Sequence, residues 1–156
     1  MDTIIQSLAG LDNFALYFVI SVAFLFVFKI VYAMVTPHDE WKLVKEEQNV
    51  AAATGFGGAL IGFAIALSGA ASNAVSIVDF ALWGVIAIVA QSFAFALLRF
   101  TFMPKIAERI NNNEVSAGIM LAAMSVAVAP SIDLLTILLL ASLALVYGSQ
   151  TPPENV

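Results

Sequence analysis

Four long apolar stretches fill most of this chain. Every basic residue lies in, or at the end of a stretch leading into, the two short connections 36–49 and 104–114. These are Lys29, Lys42, Lys45, Arg99, Lys105 and Arg109. The leader before the first stretch, the 70–79 connection and the C-terminal tail contain no Lys or Arg. Short loops on the cytoplasmic side of a membrane collect basic residues, so the asymmetry orients the whole chain. It predicts an N-terminus outside, connections 36–49 and 104–114 in the cytoplasm, and an even number of spans between them.

Composition supports a membrane protein before any span is drawn. Charged residues make up 11% of the chain and hydrophobic ones 62%, whereas a soluble domain carries about 25% charged residues. The 156 residues fit one small bundle, with no room for a soluble catalytic domain. The chain has no Cys and a single His, His38. This excludes disulfides, thiolate chemistry and a multi-histidine metal site from one chain. Asp2 and Asp12, rather than basic residues, precede the first apolar run, which is read as a permanent span and not a cleaved signal.

The expected spans are Phe14–Val35, Val50–Ala70, Phe80–Met103 and a fourth starting at Val115. Each provides the roughly 20 residues needed to cross a bilayer core. The outer face then holds Asp2, Asp12, Asp79, Asp133 and Glu154 with no compensating base. Acids and bases nearly balance on the inner loops, so the net charge of −5 lies almost wholly outside.

The two halves align at an offset of 65. Val50-Ala51-Ala52-Ala53 matches Val115-Ser116-Ala117-Gly118, Gly58 matches Ala123, Gly62 matches Ala127, and Ala66 matches Ser131. A unit of two helices enters from the same side each time, so this is a parallel repeat. The expected fold is an all-α polytopic membrane protein with four transmembrane helices in two parallel two-helix repeats. Repeat one is 14–70 and repeat two is 80–131, within a single membrane domain 1–156. Residues 132–148 form an apolar extension of the last helix, and 149–156 a flexible tail.

Two local readings follow. Thr36, Pro37 and Asp39 form a helix start, so 37–49 reads as an interfacial helix running into the second span, with Trp41 at headgroup level. The apolar run from Val115 to Tyr147 is interrupted at Pro130-Ser131-Ile132-Asp133. As one helix it would be about 50 Å long. Either Pro130 kinks a helix with an overhanging end, or the chain breaks there into two legs and returns its C-terminus to the cytoplasm.

Small residues at four-residue spacing allow helices in lipid to approach closely. Gly58, Gly62 and Ala66 form such a stripe, with Gly55 on a neighbouring row, and Ala123 and Ala127 repeat it in the fourth span. The stripe serves packing within one subunit, or self-association, or a pore-lining seam. Gln91-Ser92 sits near the middle of the third span. An amide at that depth needs a partner. Thr54 and Ser68 are candidates, and a polar constriction in a pathway is the alternative. Lys29 and Arg99 are expected to snorkel or, with Lys105 and Arg109, to bind phosphate or anionic lipid. Trp41, Lys42, Lys45, Lys105 and Arg109 are the expected cytoplasmic contacts with a partner or lipid. Asp12 and Asp79 read as helix N-terminal partners or as an acidic outer vestibule. No catalytic, cofactor or metal residues stand out, and His38 reads as a solvated helix-start residue.

Thr36-Pro37-His38-Asp39-Glu40-Trp41, Asn49-Val50-Ala51-Ala52-Ala53, Asn73-Ala74-Val75-Ser76-Ile77-Val78-Asp79, Trp83-Gly84 and Met103-Pro104 together resemble the YjfL-type bacterial inner-membrane family over about residues 10–138. The resemblance implies a four-helix protein of duplicated two-helix units, of undefined activity, alongside envelope-stress or membrane-remodelling modules. Relatives end soon after the fourth span with an Asn-Ala-Ala-Cys-like segment. Here Pro130, Asp133 and apolar sequence to Tyr147 replace it, so no role of that Cys carries over. The expected function is a non-enzymatic subunit that works with membrane lipids and a protein partner, or as a homo-oligomer, and not with nucleic acid. The rival is an oligomeric channel or carrier for cations or small amines.

Overall fold

The computed structural model describes residues 10–37 and 39–130. It is all-helical over those residues: α1 Leu11–Val35, α2 Glu40–Lys45, α3 Val50–Asn73, α4 Ile77–Leu97 and α5 Ile106–Asn111, then α6 Val115–Pro130. A π-helical turn, Leu98–Phe102, prolongs α4. Among the described residues three helices are long and apolar enough to span a bilayer: α1, α3, and α4 with its π turn. Of the expected fourth span, the described part ends at Pro130. The expected extension 132–148, the tail 149–156, the two arrangements after Pro130 and His38 lie outside the described residues.

The expected interfacial helix 37–49 is corrected. Thr36 closes α1, its hydroxyl donating to the Tyr32 carbonyl at 2.8 Å, and does not start a helix. Asp39 caps α2 by accepting from the Lys42 amide at 3.1 Å. After Lys45 the chain reverses through Gln48, whose φ is 51°. The Asn49 amide then folds back on the Leu43 carbonyl at 2.9 Å. Helix hydrogen bonding stops there because a left-handed residue breaks the ladder, and Asn49 starts α3 afresh. The α5 end is built alike: Asn113 has φ 58° and the Glu114 amide bonds the Arg109 carbonyl at 2.9 Å. Each six-residue helix is thus followed by a left-handed residue ahead of the next helix, and these residues, 48 and 113, are 65 apart.

The helices associate in two contrasting ways. α1 leans on the bundle through rings. Only Phe28 and Tyr32 of its 25 residues are buried. Phe28 stacks on Phe63 with centroids 4.4 Å apart, and Tyr32 meets Phe56 at 5.5 Å. Phe24 lies against Gly84, where a Cβ would come within 2.6 Å of its ring. α3 and α6 instead meet backbone to backbone and run in the same direction. Gly55 faces Leu121, Gly58 faces Ala122, Gly62 faces Ser125, and Gly118 faces Ala51. In lipid, apolar side chains gain little from leaving one apolar medium for another, so close backbone packing carries the association.

Candidate functional site

One end of the bundle gathers the basic residues. α2 and α5 are short, and both bury their apolar sides in one cluster: Leu43 from α2, Ile106 and Ile110 from α5, with Ala52, Phe95, Leu98, Ala117 and Leu121 from the long helices. This shared core fixes both short helices against the same end of α3. Lys42 and Lys45 project from α2 and Lys105 precedes α5, all three exposed.

Asn49 locks the two connections together, a role the sequence reading did not assign. Its side chain is buried. Oδ1 accepts from the Ala52 amide at 2.8 Å, capping α3. Nδ2 donates to the Ile110 carbonyl at 2.7 Å, at the end of α5. The clamp is reciprocal, since the Ala51 amide donates to Asn113 Oδ1 at 3.1 Å. The available signal was an Asn immediately before an apolar run, a strong N-cap pattern; its second bond spans 61 residues and had no local signature.

The expected contact residues divide. Arg109 is engaged within its own loop: Nε lies 2.6 Å from Glu114 Oε2, and the guanidinium donates to Ser116 Oγ at 3.1 Å. Trp41 stands half-exposed, edge-on to Phe56 at 6.5 Å, with Lys29 Nζ 4.0 Å and Lys45 Nζ 4.6 Å from its ring centre. Cations are drawn to the negative face of an indole, so this ring collects charge from two helices. Lys42 and Lys105 are exposed without an ion pair among the described residues.

At the opposite end, Ser76 Oγ accepts from the Asp79 amide at 3.2 Å and Asp79 Oδ2 accepts from the Val75 amide at 3.1 Å. Asp79 is thereby part of a reciprocal helix cap. Asp12 lies exposed in the first turn of α1.

The helix-packing residues need one correction. Gly55, Gly58, Gly62 and Ala66 are buried, but Ala123 and Ala127 are exposed. The face of α6 that meets α3 is Gly118, Leu121, Ala122 and Ser125. The cause is a crowded choice: α6 also carries Ala117, Ala122, Ser125 and Ala129, so several small-residue stripes are available in the sequence.

Gln91 is buried, and its amide donates to the Ser125 carbonyl at 3.0 Å. Neither Thr54 nor Ser68, the expected partners, takes that role: the Thr54 hydroxyl donates to the Val50 carbonyl in its own helix, and the Gln91 amide goes to α6 instead of Ser68. Gly62 leaves the space, since a Cβ there would lie 3.2 Å from Gln91 Nε2. Gln91 Oε1 finds no partner among the described residues, and Ser92 bonds the Ile88 carbonyl in its own helix. Gln91→Leu is expected to change unfolding stability by no more than about 1 kcal/mol, because one interhelical bond in a membrane is worth roughly that or less and an orphaned oxygen is removed with it. Denaturant titration in mixed micelles checks this; a loss several times larger would mean the amide has further partners.

Among the described residues no three His, Cys, Asp or Glu side chains gather within reach of one metal ion. The family described as Domain of Unknown Function (DUF350) matches residues 5–135. The chain is 44% identical over 120 residues to the UPF0719 inner membrane protein YjfL of Escherichia coli K12, covering 77% of this chain and 89% of that one. The protein of the same name from Escherichia coli O157:H7 matches to the same extent. No solved structure matches.

Proposed function

The chain belongs to the DUF350 family and is a multi-pass inner-membrane protein, and from that premise we propose that it is a non-enzymatic subunit that positions a partner at the membrane surface. In this reading the basic end is cytoplasmic, the N-terminus is outside, and the two halves are duplicated two-helix units. The recurrence of left-handed residues at 48 and 113, each between a six-residue helix and the next apolar helix, supports the duplication. The observation that carries the function is the rigid display of exposed Lys42 and Lys45 on α2. The Asp39 cap, the buried Leu43 anchor and the Asn49 clamp fix that helix against the bundle. A short charged helix held so firmly outside the spans suits recognition of a protein with an acidic face. A place in an envelope-stress or membrane-remodelling module fits such an accessory.

Purification in native lipid, followed by native mass measurement and peptide identification, tests the reading. A stoichiometric second protein is expected, lost on Lys42→Glu/Lys45→Glu while the thermal midpoint of the bundle is kept. Full retention of every partner by that variant would overturn it. The rival reading, an oligomeric conduit for cations or small amines, places its polar constriction at Gln91. That amide is occupied by a helix–helix hydrogen bond, which favours the scaffold. A clean homo-oligomer whose flux in proteoliposomes changes with Gln91→Leu would reverse the preference.

A further inference from the structure

A groove of about 610 Å³ opens between α1 and α3. Its walls are Val22, Leu25 and Phe26 from α1 and Leu60, Ile61 and Ala64 from α3. Its basic end is closed by Lys29, Trp41 and Phe56. From Val22 to Lys29 the helix rises about 10 Å, which is most of one leaflet's share of a ~30 Å core. Among the described residues the lining carries one charge, Lys29, and it stands at the end where the headgroup layer belongs.

That end is over-supplied with positive charge. The ammoniums of Lys29 and Lys45 both sit on the Trp41 ring, and among the described residues neither pairs with a carboxylate. Among the described residues the acid that borders the same corner is Glu40, buried beside Lys29 and Trp41. Two cations brought to one ring repel each other, and an anion between them removes that repulsion.

We propose that this groove holds one acyl chain of an anionic phospholipid, its phosphodiester bridging Lys29 and Lys45 over Trp41. Charge complementarity selects this occupant over a neighbouring apolar helix, which would leave both ammoniums unanswered. The site shares Lys45 with the partner surface proposed above but differs from it in using Lys29 and the membrane face of α1 and α3 and not Lys42, so the Lys29 and Ala64 variants below test it without touching that surface.

The two Trp residues of the chain give a direct readout once Trp83→Phe leaves Trp41 alone. The protein in phosphatidylcholine vesicles is titrated with phosphatidylglycerol or phosphatidylcholine carrying brominated chains, which quench a neighbouring indole. Half-maximal quenching is expected at a mole fraction about tenfold lower for the anionic lipid, given roughly fivefold per basic side chain near an anionic surface and some screening. Lys29→Gln should remove about fivefold of that preference. Ala64→Phe, which fills the groove and leaves both charges, should abolish the high-affinity component. Circular dichroism and the thermal midpoint serve as folding controls for both variants. Equal quenching by the two lipids, quenching by neither, or a preference unchanged in both folded variants would overturn the proposal.

Discussion

Gly58→Leu is expected to destabilise the bundle by about 3 kcal/mol, at the upper end of overpacking costs, while Ala123→Leu should stay within about 0.5 kcal/mol. The first places a side chain directly on the Ala122 Cβ and Cα. The obstacle includes backbone, which cannot rotate away, so α3 and α6 must separate. Separation also breaks contacts along the whole seam: Gly62 approaches the Ser125 carbonyl so closely that a Cβ would lie 2.5 Å from it, and Gly118 lies against the Ala51 carbonyl. Ala123 is exposed, so a larger side chain there is not forced into the α3–α6 seam. Denaturation in mixed micelles, followed by circular dichroism, measures both. Equal losses would mean that α6 presents a different face to α3. Native mass of the Ala123 variant adds a second readout, since a change in assembly with unchanged monomer stability would place that exposed stripe at a contact between copies.

Asn49→Ala should cost about 3 kcal/mol, and Asn49→Asp no less, because its second carboxylate oxygen is buried against the Ile110 carbonyl. Alanine removes the cap on α3, worth about 1 kcal/mol, and strips the Ile110 carbonyl of a buried donor, worth about 1–3 kcal/mol. Aspartate keeps the oxygen that accepts from the Ala52 amide but replaces the donor facing Ile110 with a second acceptor. The same denaturation series separates the two bonds. Hydrogen exchange should show faster opening at residues 106–114 in both variants, because the α5 connection is tied to α3 through this side chain. Exchange unchanged at 106–114 in the alanine variant would mean that the buried cluster of Leu43, Ile106 and Ile110 suffices to hold the connection.

Much of the architecture was legible because lipid imposes strong rules on composition. Long runs such as 14–35 and 50–70, with Lys and Arg restricted to two connections, require helices in a membrane. The structure places α1 and α3 at Leu11–Val35 and Val50–Asn73, within a few residues of those runs. Faces were harder to read. In a soluble helix the polar side marks the surface, but in α6 both the lipid side and the packed side are apolar. Ala122 and Ala123 therefore look equivalent in sequence, and one is against Gly58 while the other is exposed. Polar partners across helices were equally hidden: Gln91 required a partner, but a backbone carbonyl on α6 leaves no mark in the sequence.

The amino-acid sequence by itself determined that this protein is helical, multi-pass and basic at one end, because hydrophobic length and charge placement act locally on each segment. Only the tertiary structure decided which small residues touch, that Asn49 joins connections 61 residues apart, and that Lys29 and Lys45 converge on Trp41 at the foot of an apolar groove. Those outcomes depend on how helices rotate and pair. In a uniformly apolar surrounding that choice is made by close backbone contact and hydrogen bonds between distant residues, which no single stretch of chain encodes.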